Sequence, residues 1–211
     1  MAVIEGLRGL YAVTRDDEDT ARMASQVEAA LLGGARAIQY RNKTAAPSLA
    51  REQAAALAVL CREHGALLIV NDDARLAREV NAAGVHVGED DPELPAARAI
   101  VGPSKIVGVS CYDDLDRARR LVAQGADYIA FGSFFASQVK PGARRADVAL
   151  VAPARALGVP VVAIGGITSA NAPVLVKAGV DAVAVISDVF ARDDLAAIKH
   201  AAAAIAACFE E

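Results

Sequence analysis

The sequence predicts a (β/α)8 barrel, an α/β fold in which eight parallel strands alternate with helices. Short apolar runs recur along the 211 residues, and each is followed by a longer segment of helical periodicity. The runs lack polar alternation, which is typical of strands buried on both faces. Eight repeats in so short a chain favour a closed barrel, while an open doubly wound sheet, which alternates equally well, is the alternative.

The predicted strands are β-branched or mixed apolar runs: Leu10–Val13, Ala37–Tyr40, Leu67–Val70, Gly84–Val87, Ile106–Val109, Tyr128–Phe131, Val161–Ile164 and Ala182–Val185. The helices predicted between and after them are Thr20–Leu32, Ser48–His64, Ala74–Ala82, Pro95–Val101, Asp114–Ala123, Val148–Leu157, Ser169–Ala178 and Leu195–Ala207. Gly33 and Gly65 follow the first two helices and are C-cap signals. Because no Pro/Gly/Ser-rich linker interrupts the alternation, we expect one catalytic domain over residues 1–211.

Composition and charge exclude several classes of protein. The net charge is −4 and no long basic stretch occurs, which argues against a nucleic-acid partner. We expect no signal peptide, because the segment Met1–Arg8 contains Glu5 and no long apolar run, and no membrane span, because no window holds 18 uncharged apolar residues. Three widely spaced cysteines without a C-x-x-C motif indicate a reduced, cytoplasmic setting. The sequence is compatible with a homo-oligomer and does not fix the number of subunits.

Ligands of parallel α/β folds bind at the carboxyl ends of the strands, so polar residues there are the candidates for function. After the second strand, alternation directs the side chains of Gln39, Arg41 and Lys43 to one side of the chain. Two cations beside an amide are suited to a polyphosphate. A solvated loop with ordinary surface charges is the alternative.

Acidic residues follow the third and fourth strands. Asp73 is well placed to cap the next helix, which leaves Asp72 to face the barrel mouth. An acid from the segment 89–91 would join Asp72 from the neighbouring strand and form a Mg2+ site for a pyrophosphate. Helix capping by both acidic clusters is the alternative.

Residues after the fifth and sixth strands suggest binding more than nucleophilic catalysis. Ser110 lacks a G-x-S-x-G context, so we expect it to form hydrogen bonds. In-strand His86 is more typical of a packed, hydrogen-bonded residue than of a catalyst. The long loop 132–146 resembles an active-site lid and contains Lys140, either a ligand-binding residue or a solvated lysine.

The last quarter of the chain predicts a phosphate site. Gly165 and Gly166 follow the seventh strand, and Ile186 and Ser187 follow the eighth and precede a short helical stretch. Glycine pairs expose backbone N–H groups, and barrels commonly bind phosphate between these two loops.

Taken together, these segments resemble the thiamine-phosphate synthase family over nearly the whole chain. The matching segments are Gln39–Lys43, Asn71–Asp73, Gly84–Gly88, Gly108–Ser110, Ala163–Ile167 with Asn171, and Val185–Ser187. The resemblance implies a barrel enzyme, a transferase of thiamine biosynthesis. It would join a hydroxymethylpyrimidine pyrophosphate to a thiazole phosphate with Mg2+ and release thiamine phosphate and pyrophosphate.

The resemblance also implies roles for individual residues. The pyrimidine pyrophosphate would be held by Gln39, Arg41, Lys43, Asn71, Ser110 and Lys140, with Tyr40 and Asn42 in the same segment; of these, Arg41, Lys43, Ser110 and Lys140 would be catalytic. Mg2+ would be bound by Asp72 and Asp91. The thiazole phosphate would be held by Ser137, Gln138, Val139, Gly166, Ile186 and Ser187.

Several positions depart from the family's pattern. Glu89 replaces a common Gln, Cys111-Tyr112 replaces Thr-His, and Val139 lacks the usual hydroxyl. Two other functions stay open. The first is a thiazole tautomerase of the same superfamily, which would not need the pyrophosphate-binding residues; their retention argues against it. The second is a non-catalytic barrel that only binds a phosphorylated ligand, for which the changes at Glu89 and Val139 leave room.

Overall fold

The eight strands close into a barrel in which all neighbouring strands are parallel. A computed structural model of the chain describes residue 4 and residues 6–88, 94–136 and 144–210. The strands are β1 (Gly9–Val13), β2 (Ala35–Tyr40), β3 (Leu67–Asn71), β4 (Gly84–Val87), β5 (Ile106–Tyr112), β6 (Tyr128–Phe131), β7 (Val161–Ile164) and β8 (Ala182–Val185). Pairing of β1 with β8, for example Tyr11 with Ala184, closes the sheet. The prediction of a (β/α)8 barrel is therefore confirmed, and the open sheet is excluded.

Helices follow the strands around the outside. They are α1 (Thr20–Leu32), α2 (Pro47–Glu63), α3 (Ala74–Glu79), α4 (Leu94–Val101), α5 (Leu115–Ala123), α6 (Val151–Arg155), α7 (Ala172–Ala178), α8 (Ser187–Phe190) and α9 (Leu195–Ala206). Three of the predicted helices are too long. The segment predicted as Val148–Leu157 is a 3-10 turn followed by α6. Pro153 therefore lies in the first turn of α6, where the lack of an N–H costs no helical hydrogen bond.

The other two shortened helices have identifiable causes. The predicted Ala74–Ala82 helix ends at Glu79, two residues before Asn81 adopts a φ of 53°. The predicted Ser169–Ala178 helix begins at Ala172, because Asn171 folds back to accept a hydrogen bond from the backbone N–H of Thr168. In the described ranges, no helix combines the length and apolarity required to cross a membrane.

The core has two layers. The larger layer lies between the strands and the helices and contains residues such as Ile38, Val70 and Cys111. The smaller layer fills the barrel interior with Leu7, Tyr11, Val13, Ala37, Ile69, Tyr128, Ala130, Val162, Ala182 and Ala184. Strand alternation places successive side chains in the inner and the outer layer. The inward-facing polar residues near the carboxyl ends of the strands therefore line a cavity at that end of the barrel.

Candidate active site

A cavity of about 560 Å³ opens at the carboxyl ends of the strands. All eight strands, or the residues that follow them directly, contribute to its lining, so it lies where barrel enzymes bind their ligands. Its polar lining includes Gln39, Arg41, Lys43, Asn71, Asp72, His86, Ser110, Tyr112, Arg117 and Arg144.

The segment after β2 directs alternate side chains into this cavity. Gln39, Arg41 and Lys43 line it, as the alternation predicted. Between them, Tyr40 is buried in the layer under the helices, where its hydroxyl donates to Oε1 of Gln53, and Asn42 Nδ2 donates to the same oxygen. The side chains of both residues therefore contact α2 and are not among those that line the cavity. The structure thus does not support the expectation that the side chains of Tyr40 and Asn42 contact the substrate, because strand alternation turns them to the outer face.

Two residues from the β1 end align the cationic segment, and the sequence analysis did not single them out. The Thr14 hydroxyl accepts a hydrogen bond from the backbone N–H of Arg41 at 2.8 Å and donates to the Arg41 carbonyl at 2.9 Å. Asp16 Oδ1 accepts from Arg41 Nη1 at 3.2 Å and from the backbone N–H of Lys43 at 2.8 Å. These bonds fix the Arg41 guanidinium and the backbone of Lys43 before any ligand binds, while the Lys43 side chain stays half-exposed.

The two aspartates after β3 have different tasks, as predicted. Asp73 is the N-cap of α3, where Oδ1 accepts from the backbone N–H groups of Arg75 and Leu76, both at 2.9 Å. Asp72 faces the cavity with a backbone φ of 64°, and its Oδ2 lies 3.5 Å from Lys43 Nζ. A left-handed conformation is costly for a residue with a side chain, although Asp and Asn tolerate it best.

Ser110 lies on the cavity side of β5, at an irregularity in the strand. The register with β6 shifts between Ser110 and Tyr112, and Tyr112 has a φ of 56°. Both residues line the cavity, whereas Cys111 is buried in the outer layer, where burial raises the pKa of its thiol to about 12. Such a thiol provides almost no thiolate near neutral pH, so Cys111 is chemically passive here.

Arg117 of α5 supports the ends of two strands. Its Nε donates to the Ser110 carbonyl at 2.9 Å and its Nη2 to the Gly88 carbonyl at 3.3 Å. Its guanidinium carbon lies 5.8 Å from the centre of the Tyr112 ring, within reach of a cation–π contact. A signal in the sequence existed, since Arg117 lies in the first turn after the Asp114 N-cap and so points back toward the strand end.

The glycine pair after β7 adopts the left-handed conformation that only glycine accepts readily. Gly165 has a φ of 102° and Gly166 a φ of 63°. A Cβ on Gly166 would overlap the backbone of Phe135 and Ala136. Asn171 Nδ2 donates to the Gly166 carbonyl at 3.0 Å and fixes this turn.

The loops after β7 and β8 approach each other at the cavity. Gly165 and Ile186 line it, and Ser187 begins α8 directly after Ile186. Asp188 Oδ2 accepts from the backbone N–H of Ser169 at 3.2 Å and so joins the two loops. This arrangement is compatible with the predicted phosphate site.

Six predicted residues lie outside the described residues. They are Glu89 and Asp91 after β4, and Ser137, Gln138, Val139 and Lys140 after β6. The roles of Asp91 and of these loop residues stay predictions.

Comparisons with known proteins agree with this geometry. Residues 10–189 match the family model described as thiamine monophosphate synthase. This chain belongs to the thiamine-phosphate synthase family.

Individual relatives cover almost the whole chain. The thiamine-phosphate synthase of Thiobacillus denitrificans is 54% identical over 196 residues, which are 92% of each chain. That of Methylobacillus flagellatus is 52% identical over 191 residues, covering 90% of this chain and 91% of the relative. The solved thiamine phosphate pyrophosphorylase of Pyrococcus furiosus is 35% identical, with a TM-score of 0.86, covering 97% of this chain and 96% of that one.

Family membership makes the chain an enzyme, a transferase of thiamine biosynthesis, and confirms the resemblance found in the sequence. The matched region of the thiamine-phosphate synthase family runs from β1 into α8, so it includes every strand that lines the cavity.

Proposed function

We propose that this enzyme joins a hydroxymethylpyrimidine pyrophosphate to a thiazole phosphate and releases pyrophosphate. The observation that carries the proposal is that Arg41, Lys43 and Asp72 line the cavity after the neighbouring strands β2 and β3, and that β1 separates them from the loops after β7 and β8. Two separate anion-binding regions on one rim are what a reaction between two phosphorylated substrates requires.

The first region supports binding of the pyrophosphate group. Arg41 offers a planar guanidinium that can bind two oxygens at once, and Lys43 a mobile point charge. Half of the Lys43 side chain is exposed, so it can turn from Asp72 toward a ligand. In our proposal Gln39, Asn71 and Ser110 contact the pyrimidine, and Lys140 contacts the pyrophosphate.

Mg2+ is the metal that fits the donor atoms of this region. Mg2+ binds oxygen ligands, typically one or two carboxylates together with phosphate oxygens and water. In the part of the chain that the structure describes, no group of three or more His, Cys, Asp or Glu residues could hold a metal by itself. In our proposal Asp72 and Asp91 would hold Mg2+ jointly with phosphate oxygens of the substrate, and the ion would stabilise negative charge on the pyrophosphate.

The proposed reaction is a dissociative substitution. The bond between the methylene carbon and the pyrophosphate oxygen breaks, and its electron pair leaves with the pyrophosphate. The thiazole nitrogen then donates its lone pair to the pyrimidine methylene cation and forms the new C–N bond. Arg41, Lys43 and Lys140 would stabilise the developing charge of the leaving group, and the loops after β7 and β8 would hold the thiazole close to the cation.

Release of pyrophosphate from the two purified substrates with Mg2+ tests this proposal. We expect turnover that requires both substrates, and a loss of roughly two to three orders of magnitude in Asp72→Ala and Lys140→Ala. A thiazole tautomerase would release no pyrophosphate. A barrel that only binds ligand would show heat of binding in calorimetry without turnover.

The remaining expectations about partners and location belong to the same proposal. We propose that the partners are the two small-molecule substrates and that the enzyme works in the cytoplasm. Cys61, Cys111 and Cys208 form no disulfide, and Cys61 and Cys111 are buried, which supports a reducing environment.

A further inference from the structure

Five polar side chains form a continuous hydrogen-bond chain through the barrel interior. It runs across β2, β1, β6, β4 and β5. The successive distances are 2.9 Å from Gln39 Nε2 to the Tyr11 hydroxyl, 3.0 Å from Tyr11 to the Tyr128 hydroxyl, 2.9 Å from Tyr128 to His86 Nδ1, and 2.9 Å from His86 Nε2 to Ser110 Oγ. The end residues, Gln39 and Ser110, are both proposed to contact the pyrimidine.

The middle of this chain is rigidly packed. Tyr11 and Tyr128 are fully buried, and His86 is 8% exposed. The Tyr128 ring stacks on His86 with an interplanar angle of 21° and meets the Tyr11 ring edge-on. It also lies against Gly108, where any Cβ would overlap it, so the backbone of β5 fixes the ring.

All donors and acceptors of this hydrogen-bond chain are satisfied when each hydrogen bond is donated from the Gln39 end toward the Ser110 end. Tyr11 accepts a hydrogen from Gln39, so its own hydrogen is available for Tyr128. Tyr128 in turn can donate to His86 Nδ1, which must then be the unprotonated nitrogen. Burial raises the pKa of both tyrosines above the usual range, which keeps the two hydroxyls protonated.

We propose that Tyr11, Tyr128 and His86 are positioning residues for Ser110. The two tyrosines hold His86 in the Nε2–H tautomer, His86 donates this hydrogen bond to Ser110, and Ser110 directs its own hydroxyl hydrogen at the substrate. The inference rests on the proposed function, because it assigns Ser110 the task of donating to an unprotonated nitrogen of the pyrimidine ring. A hydroxyl that accepts from histidine still has one hydrogen to donate, whereas one that donates to histidine can only accept.

The opposite direction makes a different prediction. If the Gln39 amide were reversed, every hydrogen bond would run the other way, and His86 would carry its hydrogen on Nδ1. Ser110 would then donate to His86 and offer the substrate only lone pairs. The tautomer of His86 therefore decides between the two arrangements.

Nitrogen-15 NMR of the histidine rings reads this tautomer without substrate. His64 and His200 are exposed, and their signals can be assigned with H64Q and H200Q variants. At pH 8 we expect His86 as a single Nε2–H tautomer in the unmodified protein and a mixture of tautomers in Tyr128→Phe. A single Nδ1–H tautomer in the unmodified protein, or no change in Tyr128→Phe, would overturn the proposal.

Tyr40→Phe is the matched control for the NMR measurement. It also removes a buried tyrosine hydroxyl that donates a hydrogen bond, but its partner Gln53 lies in the outer layer. We expect the His86 signals to be unchanged in Tyr40→Phe. An equal change in both variants would attribute the effect to general loosening of the barrel and contradict the proposal.

A double-mutant cycle tests whether Tyr128 acts through Ser110. We expect Tyr128→Phe to raise the KM of the pyrimidine substrate by about fivefold to tenfold and to leave the KM of the thiazole phosphate unchanged. In a Ser110→Ala background the same substitution should have almost no further effect. Additive effects of the two substitutions would refute a role through Ser110.

Two precautions keep the outcomes distinct. Tyr11→Phe, which removes the preceding hydroxyl, replaces Tyr128→Phe in both measurements if the latter does not fold. If the unmodified enzyme releases no pyrophosphate, the proposed function fails, while the NMR result still decides whether the hydrogen-bond chain holds the tautomer.

Discussion

The hydroxyl of Thr14 forms hydrogen bonds with both backbone polar groups of Arg41: it accepts from the N–H and donates to the carbonyl. Thr14 is 2% exposed, so water does not replace these bonds easily. The end of β1 thereby fixes the direction in which the guanidinium of Arg41 leaves β2.

Thr14→Val should weaken substrate binding selectively. Valine keeps the shape of threonine but leaves both backbone groups of Arg41 without this partner, at a cost of about 1–3 kcal/mol in the free energy of unfolding. We expect the KM of the pyrimidine substrate to rise about tenfold, since one misaligned charged contact is lost, while the KM of the thiazole phosphate stays constant. Steady-state kinetics and denaturant unfolding measure both effects.

The control is Thr20→Val. Thr20 Oγ1 is buried and, within the described ranges, has no hydrogen-bond partner. Its removal should leave stability unchanged or slightly increased, because no bond is lost. Equal destabilisation by the two substitutions would show that the hydrogen bonds between Thr14 and the Arg41 backbone contribute nothing to the free energy of unfolding.

Substitution of Asp72 should reduce catalysis, whereas substitution of the neighbouring Asp73 should reduce stability. Asp72→Asn keeps a residue that tolerates a φ of 64°, so we expect an unchanged melting temperature and a fall in kcat of roughly 10²–10³-fold, since the carboxylate proposed to hold Mg2+ is lost. Asp73→Ala removes the N-cap of α3 and should reduce the free energy of unfolding by about 1 kcal/mol with little effect on kcat. A normal kcat in folded Asp72→Asn would exclude Asp72 from the metal site.

Alkaline pH should destabilise the barrel through its buried tyrosines. Burial raises the pKa of Tyr40 to about 12 and that of Tyr11 and Tyr128 above the usual range. An unfolded tyrosine ionises near pH 10, so above that pH the folded state binds more protons than the unfolded state. Stability should therefore be complete below about pH 10 and decrease as the pH rises toward 12. Tyrosinate absorbance and unfolding should change together; ionisation of all tyrosines near pH 10 without unfolding would contradict the burial.

Thiol reactivity should divide the three cysteines. Burial raises the pKa of Cys61 and of Cys111 to about 12, so neither provides thiolate near neutral pH, whereas Cys208 is half-buried. With an aromatic disulfide reagent at pH 8 we expect one thiol per native chain to react readily and all three after denaturation. Rapid reaction of two or more thiols in the native protein would show that the outer layer opens.

Local sequence patterns were sufficient for much of the site. Alternation along 39–43 directed Gln39, Arg41 and Lys43 to the cavity, because side chains of a strand point alternately to its two faces. The family resemblance had grouped Tyr40 and Asn42 with them as substrate-binding, and the same alternation turns their side chains toward α2 instead. Capping preference likewise distinguished Asp73 from Asp72, since only the residue directly before a helix can satisfy its first N–H groups. The glycine pair 165–166 was recognisable because few other residues accept its backbone conformation.

The sequence by itself determined the alternation of strands and helices, the family, and the side chains at each strand end. Only the tertiary structure decided that the sheet closes and that Tyr11, Tyr128, His86 and Ser110 meet inside it. Tyr11 and Tyr128 are 117 positions apart, and no periodicity links residues at such a separation. Their contact depends on barrel closure, which turns the inner faces of all eight strands toward one axis and so brings distant residues within hydrogen-bond distance.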